Sequence, residues 1–149
     1  MRSVYDAIKV VVAVDPSSVA GTGSPSAAFV NEVDTLGYNS ALFEIAVGTV
    51  TGTTVSFTVD VEIWESGTTS GTFVLVSGAT AQITGTATTA SKHAQIRVEG
   101  LGTSRLRFLK AQVNSVTSPT DKVLPVAVIA LLGRGFREPV GNSSTAALT

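Results

Sequence analysis

Hydrophobic and polar residues alternate along most of this chain. The clearest run is Val55–Ile63, in which every second residue is apolar and the residues between them are Ser, Thr, Asp and Glu. A period of two places the apolar side chains on one face of a β-strand and the polar side chains on the other. A similar alternation is present in Phe43–Val47 and in Ala94–Glu99. We therefore predict half-buried strands at these three places.

Further strands are predicted from β-branched and apolar runs bounded by turn residues. They are Val4–Val14, which Pro16 is expected to end, Ala28–Val33, Thr72–Val76, Ala81–Thr84, Arg105–Val116 and Leu124–Leu132. No segment has convincing helical periodicity. About eight strands separated by Gly, Thr and Ser turns predict an all-β fold, an antiparallel β-sandwich or jelly-roll.

Two finer features concern the connections and the phase of these strands. Thr51-Gly52 separates two alternating runs and favours a hairpin between them.

In the Arg105–Val116 segment, Leu106 and Phe108 are expected to point inward, whereas the apolar positions beyond Lys110 change phase. A β-bulge near Lys110 would explain that change.

The segment Leu124–Leu132 is apolar at both of its alternating sets of positions, with Pro125 near its start. Such a strand is either central in its sheet or buried against a neighbouring subunit.

The length of 149 residues suits one domain. We predict a single β-sandwich domain over residues 1–140, within which residues 1–26 are a candidate for an extended N-terminal arm. Residues 141–149 have the Gly, Asn, Ser and Thr composition of a flexible tail. The longest apolar run has ten residues, Val123–Leu132, whereas a spanning helix needs about 20. No membrane partner is therefore predicted.

Residues for catalysis and for metal binding are few. Cysteine is absent and His93 is the single histidine, which excludes thiolate chemistry and the usual zinc constellations. Asp60 and Glu62 lie two positions apart on one strand face, where carboxylates bind a hard cation, serve glycoside chemistry or form a solvated surface. We predict that the protein is not an enzyme and has no cofactor.

The charge balance excludes another class of partner. Ten Lys and Arg against eleven Asp and Glu leave a net charge of −1, whereas a nucleic-acid-binding domain is strongly basic. Two bases and eight acids give the first 75 residues a charge of −6, and eight bases and three acids give the remainder +5. Either the two halves interleave and cancel in a sandwich, or the subunit is polarised and docks by charge complementarity.

Six residues are candidates for contacts with other subunits. Trp64 continues the phase of the two strand carboxylates, so it is an interface residue or a platform for a sugar on the polar face, or a core residue where the strand bends. Arg105 and Arg107 point outward by alternation, and Gly133–Glu138 is a loop with two Arg around an aromatic residue. The candidates are Trp64, Arg105, Arg107, Arg134, Phe136 and Arg137.

Several of these segments follow one another in a recognisable order. They are the turn and strand Val33–Gly48, the turn Thr49–Thr54, the strand Phe57–Trp64 with Glu65-Ser66, the segment Arg105–Leu109 and the apolar strand ending in Leu131-Leu132-Gly133-Arg134-Gly135. This order, over Val33–Arg137, resembles small virion proteins of tailed bacteriophages. It is most similar to the jelly-roll decoration, or cement, proteins on the outside of capsids.

The resemblance implies a structural protein of the virion, assembled in the host cytoplasm and located on the capsid exterior. Its partners would be the major capsid protein, whose neighbouring subunits it bridges to stabilise the shell, and copies of itself in a homotrimer or homodimer. Two alternatives remain open. One is another virion component, such as a tail or head–tail accessory protein, and the other is a carbohydrate-binding β-sandwich module.

Overall fold

The computed structural model describes residues 8–20, 31–49, 56–86, 91–118 and 123–133. They form eight strands: β1 (Ile8–Ala20), β2 (Glu32–Asp34), β3 (Ser40–Val47), β4 (Ser56–Ser66), β5 (Val74–Thr86), β6 (Lys92–Glu99), β7 (Phe108–Ser118) and β8 (Val123–Gly133). Within these ranges there is no helix long and apolar enough to cross a membrane.

The strands form two antiparallel sheets of four strands each, packed face to face. Sheet I has the strand order β1-β8-β3-β6, and sheet II has the order β2-β7-β4-β5. Consecutive strands lie in different sheets, apart from β4 and β5, which pair as neighbours. This repeated crossing between two sheets is a jelly-roll-like arrangement. The predicted all-β antiparallel sandwich is confirmed.

The hairpin predicted around Thr51-Gly52 is wrong. These two residues lie outside the described residues, but the strands on either side of them belong to opposite sheets. β3 lies between β8 and β6 in sheet I, and β4 lies between β7 and β5 in sheet II. A turn signal marks where a strand ends, and it does not reveal whether the next strand pairs with the first or crosses the core.

The inner faces of the two sheets form the core. In β4 every second residue from Phe57 is buried, and the residues between them are partly exposed. The largest fully buried side chains come from both sheets and are Phe43, Ile45, Ile63, Leu109, Leu124 and Leu132. Each of them stabilises the fold by about 1.5–3 kcal/mol through its removal from water. The apolar half of the alternating pattern therefore holds the two sheets together.

β7 begins later than its alternation suggested. Leu106 is 43% exposed in the turn before the strand, Phe108 is half-buried on the outer face, and Leu109 starts the buried set. β7 then pairs with β4 in one unbroken register up to Ser118. The expected inward direction of Leu106 and Phe108 is wrong, and so is the bulge near Lys110. Leu106 belongs to the turn, and Phe108 begins β7 with its side chain on the outer face.

Two strands continue where an interruption was expected. Pro16 lies within β1, where register shifts flank Val14, because proline is tolerated in edge strands and at bulges. β5 runs through both segments that were predicted as separate strands. Its register shifts opposite β4, and Gly78 in this irregular stretch has a φ of 78°, a conformation that glycine adopts without steric cost.

Candidate functional site

One end of the outer face of sheet II is aromatic and charged. The last two rows of cross-strand neighbours there contain Glu32, Lys110, Trp64 and Leu75, and then Asp34, Phe108 and Ser66. Two loop residues, Phe73 and Arg107, also belong to this surface because they contact its side chains. We call the following residues the aromatic end of sheet II: Trp64, Phe73, Leu75, Arg107, Phe108 and Lys110.

Cations lie over two aromatic rings at the aromatic end of sheet II. Nζ of Lys110 is 4.6 Å from the centre of the Phe73 ring, and Cζ of Arg107 is 4.9 Å from the centre of the Phe108 ring. Both distances are within the range of cation–π attraction. These contacts hold the rings and the charges of the surface in a defined arrangement.

Trp64 lies on the outer face, as its alternation with Asp60 and Glu62 predicted. Its cross-strand neighbours are Lys110 on β7 and Leu75 on β5. The indole Nε1 donates a hydrogen bond to Oε2 of Glu62 at 3.2 Å. The alternative in which Trp64 belongs to the core is therefore wrong. Its roles in an interface or in sugar binding stay predictions.

Arg107 makes a two-pronged ion pair with Asp34 at the end of β2. Its Nε and Nη2 donate to Oδ1 and Oδ2 of Asp34 at 2.8 and 2.7 Å. These hydrogen bonds, with one from the backbone N–H of Leu36, lower the pKa of Asp34 from 3.8 to about 2, and they raise the pKa of Arg107. The two side chains are 46% and 40% exposed, so the guanidinium is fixed in place and still accessible.

Arg105 is held by Glu65, which is buried at the end of β4. Oε1 of Glu65 lies 3.4 Å from Nη1 of Arg105, and Oε2 accepts a hydrogen bond from the backbone N–H of Leu106 at 3.0 Å. The Thr35 hydroxyl donates to the carbonyl oxygen of Arg107 at 2.6 Å. Hydrogen bonds thus join the turn before β7 to Glu65 of β4 and to Thr35 after β2. They position both arginines.

The opposite charges of the two halves of the chain meet in this region. Three ion pairs join an acid of the first 75 residues to a base of the remainder: Asp34–Arg107, Glu65–Arg105 and Glu32–Lys110. The structure therefore favours the interpretation in which the two halves interleave and cancel.

The structure brings three of the six predicted contact residues to one end of sheet II. Ser66 pairs with Phe108, the residue after Arg107, so Trp64, Arg105 and Arg107 gather around the ends of β4 and β7. β8 also ends nearby, because the Gly133 carbonyl accepts a hydrogen bond from the backbone N–H of Asn39, in the turn after β2. The other three candidates follow Gly133 and lie outside the described residues: Arg134, Phe136 and Arg137.

The sequence predictions missed four exposed apolar residues near these arginines. Their exposed fractions are 67% for Leu36, 48% for Val74, 44% for Leu75 and 43% for Leu106. Leu36 precedes Gly37 in a tight turn and Leu106 stands between two arginines. For Leu36 and Leu106 the available signal was a large apolar residue among turn residues, although Leu101 in another turn is buried.

The remainder of the outer face of sheet II is polar. A depression of about 540 Å³ lies beside Trp64 and is lined by side chains that include Asp60, Glu62, Gln82, Gln112 and Asn114. Gln82 Nε2 donates to Oδ1 of Asp60 at 2.7 Å, so this carboxylate has an amide partner. Within the described ranges, no three His, Cys, Asp or Glu side chains form a group that could hold a metal ion. His93 is exposed on β6.

The outer face of sheet I is mostly apolar. β8 is a central strand between β1 and β3, which agrees with one of the two interpretations of Leu124–Leu132. Its outward residues are nevertheless aliphatic as well. The most exposed residues of this face are Val10 (62%), Ile8 (45%), Val12 (42%) and Ile129 (38%). Polar side chains become frequent on β6, the far edge of the sheet.

Comparison of the chain with protein-family models, with curated proteins and with solved structures finds no match to any of the three.

Proposed function

We propose that this protein is a structural component of a bacteriophage virion, a decoration protein that binds the outside of the head and bridges major capsid protein subunits. The observation that carries this proposal is the aromatic end of sheet II together with its exposed leucines. Trp, Phe and Arg are the residues enriched at protein interfaces. The order of segments over Val33–Arg137, which resembles capsid decoration proteins, supports the same role.

The aromatic end has properties that suit docking on a folded protein. Arg107 and Lys110 each have an acidic partner and an aromatic ring in contact. A partner therefore meets side chains that are already ordered, and less conformational entropy is lost on binding. An oligomer whose copies dock together at symmetric positions on a shell would add avidity to a modest single contact.

The proposal is tested by mixing the purified protein with undecorated capsids at micromolar concentration and sedimenting them. We expect the protein in the capsid pellet, at a copy number in the hundreds per particle. A pellet without the protein contradicts the proposal. A copy number of about six or twelve on complete virions indicates instead a tail or head–tail accessory protein.

A second candidate function is saccharide binding at the depression beside Trp64. Amides and carboxylates line it next to an indole ring, and sugars are bound by such hydrogen-bonding groups beside an aromatic platform. A glycan array with the wild-type protein and with Trp64→Ala tests this candidate. Binding that Trp64→Ala removes supports it, and an array without hits contradicts it.

A further inference from the structure

The outer face of sheet I offers aliphatic side chains across three neighbouring strands. We infer that a second copy of this chain covers this face, with β8 at the centre of the contact. The inference deepens the self-association in the proposed function, on which it rests, by naming the surface that carries it.

The apolar positions of this face form continuous rows. Cross-strand pairing places Val10 beside Leu131 and Leu131 beside Leu42. The next row places Val12 beside Ile129, and there the apolar part ends at Glu44 on β3. Val10, Val12 and Ile129 are exposed, and Leu42 and Leu131 are partly exposed. Soluble monomers rarely expose a contiguous apolar surface of several hundred Å², and such surfaces mark interaction sites.

The size of the face approaches the requirement of a stable dimer. Four strands about 4.8 Å apart and about ten residues long at about 3.3 Å per residue give a footprint of about 600 Å². A standard interface buries about 800 Å² of accessible surface on each partner. Because side chains project from the sheet, the accessible surface of the face is larger than its footprint and thus closer to that size.

The distribution of charge favours a second copy as the occupant. The Glu44 carboxylate accepts a hydrogen bond from Nε2 of Gln95 at 2.6 Å. At the β6 edge, Arg97 and Glu99 form an exposed ion pair at 2.6 Å. An edge with one charge of each sign is complementary to itself under a two-fold axis, whereas a partner of one charge would meet both signs there.

A two-fold axis in the plane of the contact and perpendicular to the strands would place β8 of one copy over β8 of the other, and β6 over β6. The aliphatic rows would then form the buried centre of the contact, and the polar β6 would form its rim. This is the usual division of a protein interface into an apolar core and a polar rim. Each copy contributes its own β8 to such a contact, so one substitution on β8 changes the contact at two symmetric places.

The test measures the native mass of the full chain by analytical ultracentrifugation, for wild type and for three lysine variants. Ile129→Lys and Val10→Lys place a charge at the centre and on the β1 side of the face. Thr84→Lys makes the same kind of change at an exposed position of sheet II and is the matched control. We expect a wild-type dimer or higher oligomer, and a dissociation constant raised about 30-fold or more by each variant on the face. Thr84→Lys is expected to leave it unchanged.

Each outcome decides between the inference and the proposed function. A monomeric wild type overturns the inference, and so does an oligomer that both face variants leave intact while circular dichroism shows native strands. Loss of capsid co-sedimentation by Ile129→Lys with unchanged self-association would assign the face to the capsid and overturn the inference. If the face variants lose self-association as expected while the wild-type protein does not bind capsids, the inference stands and the proposed function is refuted.

Discussion

The two outer faces of the sandwich belong to sheets of equal strand number, and they differ in what their outward positions contain. β4 and β8 are both central strands whose inward residues are buried. The outward residues of β4 are Thr, Asp, Glu and Trp, whereas those of β8 are Pro, Ala, Ile and Leu. The inward half of the alternation is thus equivalent in the two sheets, and the outward half distinguishes a polar and aromatic surface from an aliphatic one.

This comparison teaches that an apolar residue in a strand has two different meanings. Ile63 on β4 is fully buried, while Ile129 on β8 is 38% exposed. The first contributes to folding of the subunit, and the second is available to another molecule. Substitutions can distinguish residues that act in folding from residues that act in binding, both among the apolar residues and at the aromatic end.

The largest expected effect is that of Ile63→Ala compared with Ile129→Ala. Removing the buried side chain leaves a cavity, so the free energy of unfolding falls by about 2–5 kcal/mol. The exposed side chain leaves no cavity in the isolated subunit, and we expect a loss below about 1 kcal/mol. Urea denaturation of dilute protein measures both values. Equal losses would mean that Ile129 is part of the core of the subunit.

Trp64→Ala distinguishes docking from folding at the aromatic end. Because the indole lies on the outer face, we expect the affinity for capsids to fall about tenfold or more, as at interface hot spots. The free energy of unfolding should fall by about 1–2 kcal/mol at most. Quantitative co-sedimentation and thermal melting measure the two effects. Unchanged docking with a large drop in melting temperature would show that Trp64 acts in stability alone.

Glu65→Ala compared with Glu62→Ala contrasts the two faces of β4. Glu65 is buried and accepts the backbone N–H of Leu106, so its removal leaves that donor and Arg105 without their partner. We expect a loss of about 1–3 kcal/mol in the free energy of unfolding. Glu62 on the outer face bonds the Trp64 indole, and its removal should cost less than about 1 kcal/mol. A larger loss from Glu62→Ala would contradict this ranking.

The smallest expected effect concerns the pH dependence of the Asp34–Arg107 pair. Because the folded-state pKa of Asp34 is about 2, below its usual 3.8, the stability that it contributes is present above about pH 4 and is lost as the pH falls toward 2. Asp34→Asn should therefore lower the melting temperature by about 2 °C at pH 7 and by less at pH 2. Equal shifts at both pH values would mean that the ionised carboxylate does not contribute.

Most strands and the class of fold could be predicted because a period of two is a local property. The placement of Trp64 on the polar face of β4 followed from the same period. The partners of Arg105 and Arg107 could not be found in this way, since Glu65 and Asp34 are 40 and 73 residues distant in the chain. The apolar phase of Leu106 was misassigned because a turn residue can imitate the start of a strand.

The alternation of side chains is enough to require a two-layered β protein, because each strand has one apolar face that must be removed from water. It does not say which strands are neighbours. The pairing of β3 with β8 and β6, and not with β4, arises when whole sheets pack against each other. The pairing of β8 with β1 and β3 aligned their outward positions into one mostly aliphatic face, and the pairing of β4 with β7 gathered Trp64 with two arginines at one end of sheet II.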